Sequence, residues 1–156
     1  MDFDAVRRVL AALEREGVRY AVIGGVALNL HGLARFTQDL DVFIAPESDN
    51  VERLRAALRS AYADPSIEEI TAEDLLGDYP AVQYIPPEGA FHVDILTRLG
   101  DAFRYSDLAT QRIAFDDFVV TVITPEMLYR MKKDTVRLQD RADAEAVRRR
   151  FNLKDA

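Results

Sequence analysis

The chain has 156 residues, 49% hydrophobic and 30% charged, with a formal net charge of -7. That length and balance suit one globular domain with a real core, and the acidity argues against a broad nucleic-acid surface, which needs a surplus of Lys and Arg on one face. With no cysteine and only His31 and His92 as histidines, disulfides, thiolate catalysis and histidine-rich or cysteine metal centres are excluded, so any metal must sit on carboxylates.

Phe3, Val6, Leu10 and Leu13 recur at helical spacing and Gly17 follows, so the N-terminus reads as an amphipathic packing helix. Its charges do not fit a signal-peptide core, and no apolar run approaches the roughly 20 residues that cross a bilayer, so a cytoplasmic protein without membrane contact is expected. Tyr20 to Ile23 is a short strand, Gly24-Gly25 a tight turn, and Val26 to His31 a short helix ended by Gly32. Leu40 to Ile44 is a second strand. Pro46, Ser48 and Asn50 supply the turn and cap before a helix over Val51 to Tyr62. From Ala63 to Tyr79 the chain is acidic and poorly periodic. It reads as a loop, and the charge between Glu68 and Asp78 disfavours a nearby triphosphate, so it is expected to face solvent.

Further strands are expected at Val82 to Ile85, Phe91 to Leu96 and Phe118 to Val122, with a turn at Pro86-Pro87-Glu88-Gly89. Thr124 is placed to cap a helix, with Pro125 at its first position, and a helix or helix pair runs on to about Phe151. Arg148, Arg149 and Arg150 read as a solvated, dipole-matched helix end. The expected fold is an α/β (α+β) domain spanning 1–156, with a core over about 18–123 and a helical segment over about 124–151. No repeat or linker divides it.

The chemistry concentrates in Arg35-Phe36-Thr37-Gln38-Asp39-Leu40-Asp41-Val42. If this segment is extended, Arg35, Thr37, Asp39 and Asp41 share one face, and Phe36, Leu40 and Val42 the other. Two carboxylates side by side repel each other unless a positive group lies between them, and a hard divalent cation such as Mg²⁺ is the usual remedy. Asp94, in a strand whose Val93 and Ile95 face the core, supplies a third acid if the strands are neighbours. Three such acids can hold two metal ions roughly 3.5–4 Å apart for an in-line phosphoryl or nucleotidyl transfer. Gly24-Gly25 lets phosphate approach the backbone at a helix start. Arg35 and Thr37 either contact phosphate or brace the acidic strand. His31 reads as a capping or packing residue, and His92 is placed to tune Asp94.

Val22-Ile23-Gly24-Gly25-Val26-Ala27, followed by Arg35-Phe36-Thr37-Gln38-Asp39-Leu40-Asp41-Val42, resembles the signature of the nucleotidyltransferase superfamily, closest to its AbiEii-like group. The resemblance implies a polymerase-beta-like core, a mixed sheet flanked by helices, with Asp39, Asp41 and Asp94 as metal ligands and Gly24 and Gly25 at the triphosphate. It extends to Met131-Lys132 and to Asp140-Arg141-Ala142-Asp143, with Gln139 where the group has a second lysine. On one helix Lys132, Val136, Asp140 and Asp143 would form a stripe, Lys132 reaching phosphate while an acid orients it or binds base or sugar. The alternative for this region is a solvated face laced by pairs such as Arg130 with Asp134, or Arg137 with Asp134 or Asp140, with Lys133 on that face.

The expected function is an enzyme using Mg²⁺, or Mn²⁺, to move a nucleoside monophosphate from an NTP to an acceptor hydroxyl or phosphate. The resemblance implies toxins of toxin–antitoxin systems, some acting on tRNA ends, and so a possible cognate antitoxin. Protein-nucleotidylating and antibiotic-modifying relatives widen the acceptor to proteins and small molecules. The reading from another class is a noncatalytic fold of this type that binds a partner, which the intact set of acids and glycines argues against.

Overall fold

The computed structural model describes residues 2–87, 91–133 and 138–154. Helix α1 (Phe3–Arg15) starts where the Asp2 carboxylate accepts from Ala5 N–H, and it stops before Gly17 at φ +66°. Its stripe of Val6, Val9, Leu10 and Leu13 is buried, as the spacing requires. Strand β1 (Tyr20–Ile23) leads directly into α2 (Gly24–Leu30), then β2 (Asp39–Ile44) and α3 (Ser48–Ala61) follow. A 3-10 turn at Pro65–Glu69 precedes α4 (Ala72–Leu76), β3 (Ala81–Tyr84) and β4 (His92–Leu96). A short ribbon of β5 (Arg98–Leu99) and β6 (Phe103–Arg104) comes next, then β7 (Thr110–Phe115), β8 (Phe118–Ile123), α5 (Pro125–Lys132) and α6 (Leu138–Phe151).

The main sheet has the order β3-β4-β2-β1-β8-β7 and is mixed. Strand β2 runs antiparallel to β1 and parallel to β4, and β1 runs parallel to β8. All four residues of β1 are buried, as in a strand covered on both faces. In β2 and β4 burial alternates through Asp39-Leu40-Asp41-Val42 and through His92-Val93-Asp94-Ile95-Leu96, so apolar side chains enter the core while the acids share the other face. Helices α1 and α3 pack together, as do α5 and α6, and α2 lies against β1 and β2. The mixed sheet flanked by helices is the expected architecture.

Several local expectations need correction. The segment 35–38 precedes β2 without strand structure, so Phe36 is not a core residue; it is 75% exposed. The stretch from 63 to 79 is not a loop, because Ile67, Ile70 and Leu75 are buried and anchor the 3-10 turn and α4, which pack on α3. Its Glu68 meets Arg55 and Arg59, and these pairs hold the carboxylate down at about 2. Strand β7 was not expected from its polar start. It pairs with β8 through the two-residue turn Asp116-Asp117, Asp116 at φ +55°, the positive φ that such tight hairpins require. The turn expected at 86–89 lies partly outside the described residues, since Glu88 and Gly89 are not among them.

Asn50 does not cap α3, which begins at Ser48. It is buried and stitches the start of β1 to the end of β2: its Oδ1 accepts from Arg19 N–H at 2.7 Å, and its Nδ2 donates to Arg19 O at 3.0 Å and Ala45 O at 3.1 Å. Removing that amide takes the acceptor from Arg19 N–H, while Arg19 O and Ala45 O each lose one of two donors and keep the backbone N–H groups of Ala45 and Glu47. Asn50→Ala is expected to lower unfolding stability by roughly 2–4 kcal/mol, read from urea titration, and a loss within error of zero would refute this role.

Candidate active site

The parallel register of β2 and β4 sets Asp41 beside Asp94 and Asp39 beside His92. Asp41 is also the register partner of Ile23, the last residue of β1, so the chain turns at Gly24 against the Asp41 carboxylate. A Cβ placed on Gly24 would lie 2.1 Å from Asp41 Oδ2, and Gly24 sits at φ +69°, so space and backbone conformation both demand glycine. Gly25 approaches Thr37 in the same way, with a Cβ there 3.1 Å from Thr37 Oγ1. The sequence Ile-Gly-Gly therefore brings backbone close to the acidic strand.

Electrostatics mark the acids as strained. Burial pushes the Asp41 carboxyl up to about 7, reinforced by its hydrogen bond with Asp94 and by the charges of Asp94 and Asp39, while Lys132 pulls it down. Gln83 Nε2, across from Asp94 on β3, donates to Asp94 Oδ1 at 3.1 Å. Asp39 Oδ1 lies 3.3 Å from His92 Nδ1, so His92 meets Asp39 and not Asp94, as its register dictates. Thr37 Oγ1 donates to Asp39 O at 3.0 Å and faces Asp39 N–H at 3.3 Å, which braces the start of β2. Among the described residues no three acids or histidines are gathered tightly enough to hold an ion as the side chains lie.

A second cluster adjoins the first. Lys132, at the end of α5, donates from Nζ to Asp140 Oδ1 at 3.1 Å and Asp143 Oδ2 at 3.3 Å, both on α6. Arg35 Nε approaches the same Asp143 oxygen at 3.5 Å, and Arg35 N–H is held by Asn29 Oδ1 at 3.1 Å. The Asp143 side chain is 7% exposed and that of Lys132 12%, so these charges depend on one another. The single-helix stripe expected for Lys132, Asp140 and Asp143 is thus replaced by a meeting of two helices. Val136, Asp134 and Arg137 lie outside the described residues, as do the surface pairs expected of them.

The sequence matches the family model for the nucleotidyl transferase AbiEii toxin of type IV TA systems over residues 8–149. The chain belongs to the AbiEii nucleotidyltransferase family. No curated protein sequence matches it significantly. Among solved structures it is similar to ANT(2")-Ia in complex with adenylyl-2"-tobramycin, at 11% identity and TM-score 0.58, with 96% of this chain and 88% of that one covered. It is also similar to the lincosamide antibiotic adenylyltransferase LnuA with lincomycin bound, at 13% identity and TM-score 0.57, covering 93% and 95%. An antigenic nucleotidyltransferase-like protein from Paracoccidioides brasiliensis matches at 15% identity and TM-score 0.54, covering 94% and 75%. At these identities the likeness is one of fold.

As an AbiEii-family member the chain is a nucleotidyltransferase, a class that generally works on an NTP with a divalent metal. In this family member the structure brings together Gly24 with Asp41, Gly25 with Thr37, Asp41 with Asp94, and Lys132 with Asp140, Asp143 and Arg35. Gln83 and Asn29 were missed by sequence reasoning. The signal for Gln83 was the alternation Val82-Gln83-Tyr84 on a strand paired with β4. His31 is a packing residue, buried, with Nε2 2.7 Å from Ile123 O and its ring edge-on to Phe151. Arg148 and Arg149 pair with Glu145 at the end of α6, as a solvated helix end would. No helix among the described residues is long and apolar enough to cross a membrane.

Proposed function

We propose that this chain transfers a nucleoside monophosphate from an NTP to an acceptor hydroxyl or phosphate, releasing pyrophosphate, with residues 1–156 acting as one cytoplasmic catalytic domain. The observation that carries this reading is the Asp41–Asp94 pair, set side by side by the register of β2 and β4 directly beneath a glycine whose missing Cβ leaves room only for backbone. An acid forced this far toward the neutral form disfavours the free protein and fits a site completed by a cation.

Asp39, Asp41 and Asp94 would hold Mg²⁺ or Mn²⁺, with Asp39 rotating away from His92. When bound, such a cation neutralises phosphate charge and helps the pyrophosphate leave. The chain's own groups do the positioning. The Gly24-Gly25 turn receives the triphosphate on its backbone, Thr37 fixes the strand that bears Asp39 and Asp41, and Lys132 and Arg35, aligned by Asp140 and Asp143, face the phosphates. In-line attack by an acceptor oxygen on the α-phosphorus forms the new P–O bond as the bond to pyrophosphate breaks, and the acceptor proton leaves to solvent.

The family description supports a toxin role with a cognate antitoxin, and tRNA is one acceptor class for such a toxin. Proteins and small molecules of the antibiotic type are the other acceptor classes. The test is incubation with Mg²⁺ or Mn²⁺, each α-labelled NTP, and in turn total tRNA, lysate protein or an aminoglycoside. Label is expected in one acceptor class, with pyrophosphate released, and is expected to vanish in Asp39→Ala with Asp41→Ala. Transfer that survives this double change would overturn the site.

Lys132→Met separates the two jobs of the lysine. It removes the Nζ shared by Asp140 and Asp143 and leaves Arg35 beside Asp143, so stability is expected to fall by about 2–4 kcal/mol. Loss of a phosphate contact adds a KM for NTP raised by roughly tenfold or more. An unchanged KM in the folded variant would confine Lys132 to a structural role.

A further inference from the structure

The β5 and β6 ribbon carries an arrangement that the carboxylate site does not use. Arg98 and Arg104 are direct cross-strand partners, and like charges directly opposite each other weaken an antiparallel pair. Among the described residues neither guanidinium has a carboxylate partner. Both line a cavity of about 470 Å³, within the range that holds small ligands. Arg19 also borders it, but Arg19 is paired with Glu47 and lies over the Tyr105 ring, centroid 5.7 Å away. Once that pair is set aside, the rim holds two arginines against Asp101, a locally positive cavity in a chain of net charge -7.

We propose that this cavity binds the phosphate monoester of a small molecule, gripped between Arg98 and Arg104. A monoester is close to a dianion at neutral pH and presents three terminal oxygens, enough to meet two guanidinium forks from opposite strands. A diester, with one charge and two free oxygens, satisfies one fork. The concave shape favours a compact ligand over an extended chain. Ala45, which lines the cavity, lies four residues beyond Asp41, about 13 Å along an extended strand, so this is not the triphosphate site and does not depend on the function proposed above.

The test is titration of the ¹⁵N-labelled full chain, without divalent metal, with ribose 5-phosphate, dimethyl phosphate or sodium chloride at matched ionic strength. Ribose 5-phosphate is expected to give saturable amide shifts confined to the cavity lining, residues 19, 45–47, 75–77 and 97–106. Dimethyl phosphate is expected to bind about tenfold more weakly or worse. Arg98→Gln and Arg104→Gln are each expected to weaken binding by about tenfold and together to abolish it, while Arg149→Gln leaves it unchanged. Because each change removes repulsion between like charges, the ligand-free Tm of either variant is expected to equal or exceed that of the parent, which separates lost binding from lost folding. No saturable response, an equal response to dimethyl phosphate or chloride, shifts scattered over the surface, or binding that survives the double change would each overturn the proposal.

Discussion

Asp41→Asn is expected to lower nucleotidyl transfer by roughly a thousandfold or more, because several kcal/mol of phosphate-charge stabilisation depend on this acid. The same change is expected to stabilise the protein in the absence of metal and nucleotide. Burial and the neighbouring acids raise the Asp41 carboxyl from its ordinary 3.8 to about 7, so the folded state binds its proton more tightly than the unfolded chain. The stabilising effect of that proton is complete below the unfolded value and is lost as pH rises through about 7. Asparagine imitates the protonated acid, keeping a donor toward Asp94 without the charge. Its advantage should be near zero at about pH 4 and grow to on the order of 3 kcal/mol by about pH 8, seen in denaturant titrations with chelator present. A variant that is inactive and no more stable at high pH would show that Asp41 is not the strained group.

The site was legible in the sequence to the extent that strand alternation and strand register determine it. Asp39 and Asp41 fall on one face because β2 has period two, and Asp94 joins them because Val93 and Ile95 face the core, which fixes the phase of β4. What alternation cannot supply is the neighbour order. That β4 lies beside β2 is a tertiary fact, and the shift that pairs His92 with Asp39 follows only from it. The α5–α6 junction was hidden for a related reason: a helical stripe through Lys132, Asp140 and Asp143 assumes one continuous helix, whereas the chain ends α5 at Lys132 and starts α6 at Leu138. The same residues still meet, now across two helices.

Composition misled where a few buried residues outweighed many exposed ones. Between Ala63 and Tyr79 the acids dominate the count, yet Ile67, Ile70 and Leu75 decide the structure, since three fully buried aliphatic side chains contribute about 1.5–3 kcal/mol each. Phe36 is the reverse case, an aromatic residue beside the acidic strand that is left in solvent because the backbone before Asp39 is not a strand.

Gly24→Ala is expected to be the most damaging glycine change among the described residues. A residue with a side chain at φ +69° costs about 1–2 kcal/mol before any contact is counted. The new methyl would then lie 2.1 Å from Asp41 Oδ2 and 3.0 Å from Asp41 Cγ, so the acid must leave its place beside Asp94. Stability is expected to fall by roughly 3–5 kcal/mol and transfer to be lost with it. Gly25→Ala, free of the φ penalty and 3.1 Å from a Thr37 side chain that can shift by a few tenths of an ångström, should cost less than half as much. A double-mutant cycle isolates the clash. In an Asp41→Ala background the carboxylate is gone, and the cost of Gly24→Ala should shrink to the backbone strain of about 1–2 kcal/mol. Equal costs in the two backgrounds would mean that the glycine turn and the acidic strand do not touch, and the phosphate-binding turn would have to be sought elsewhere.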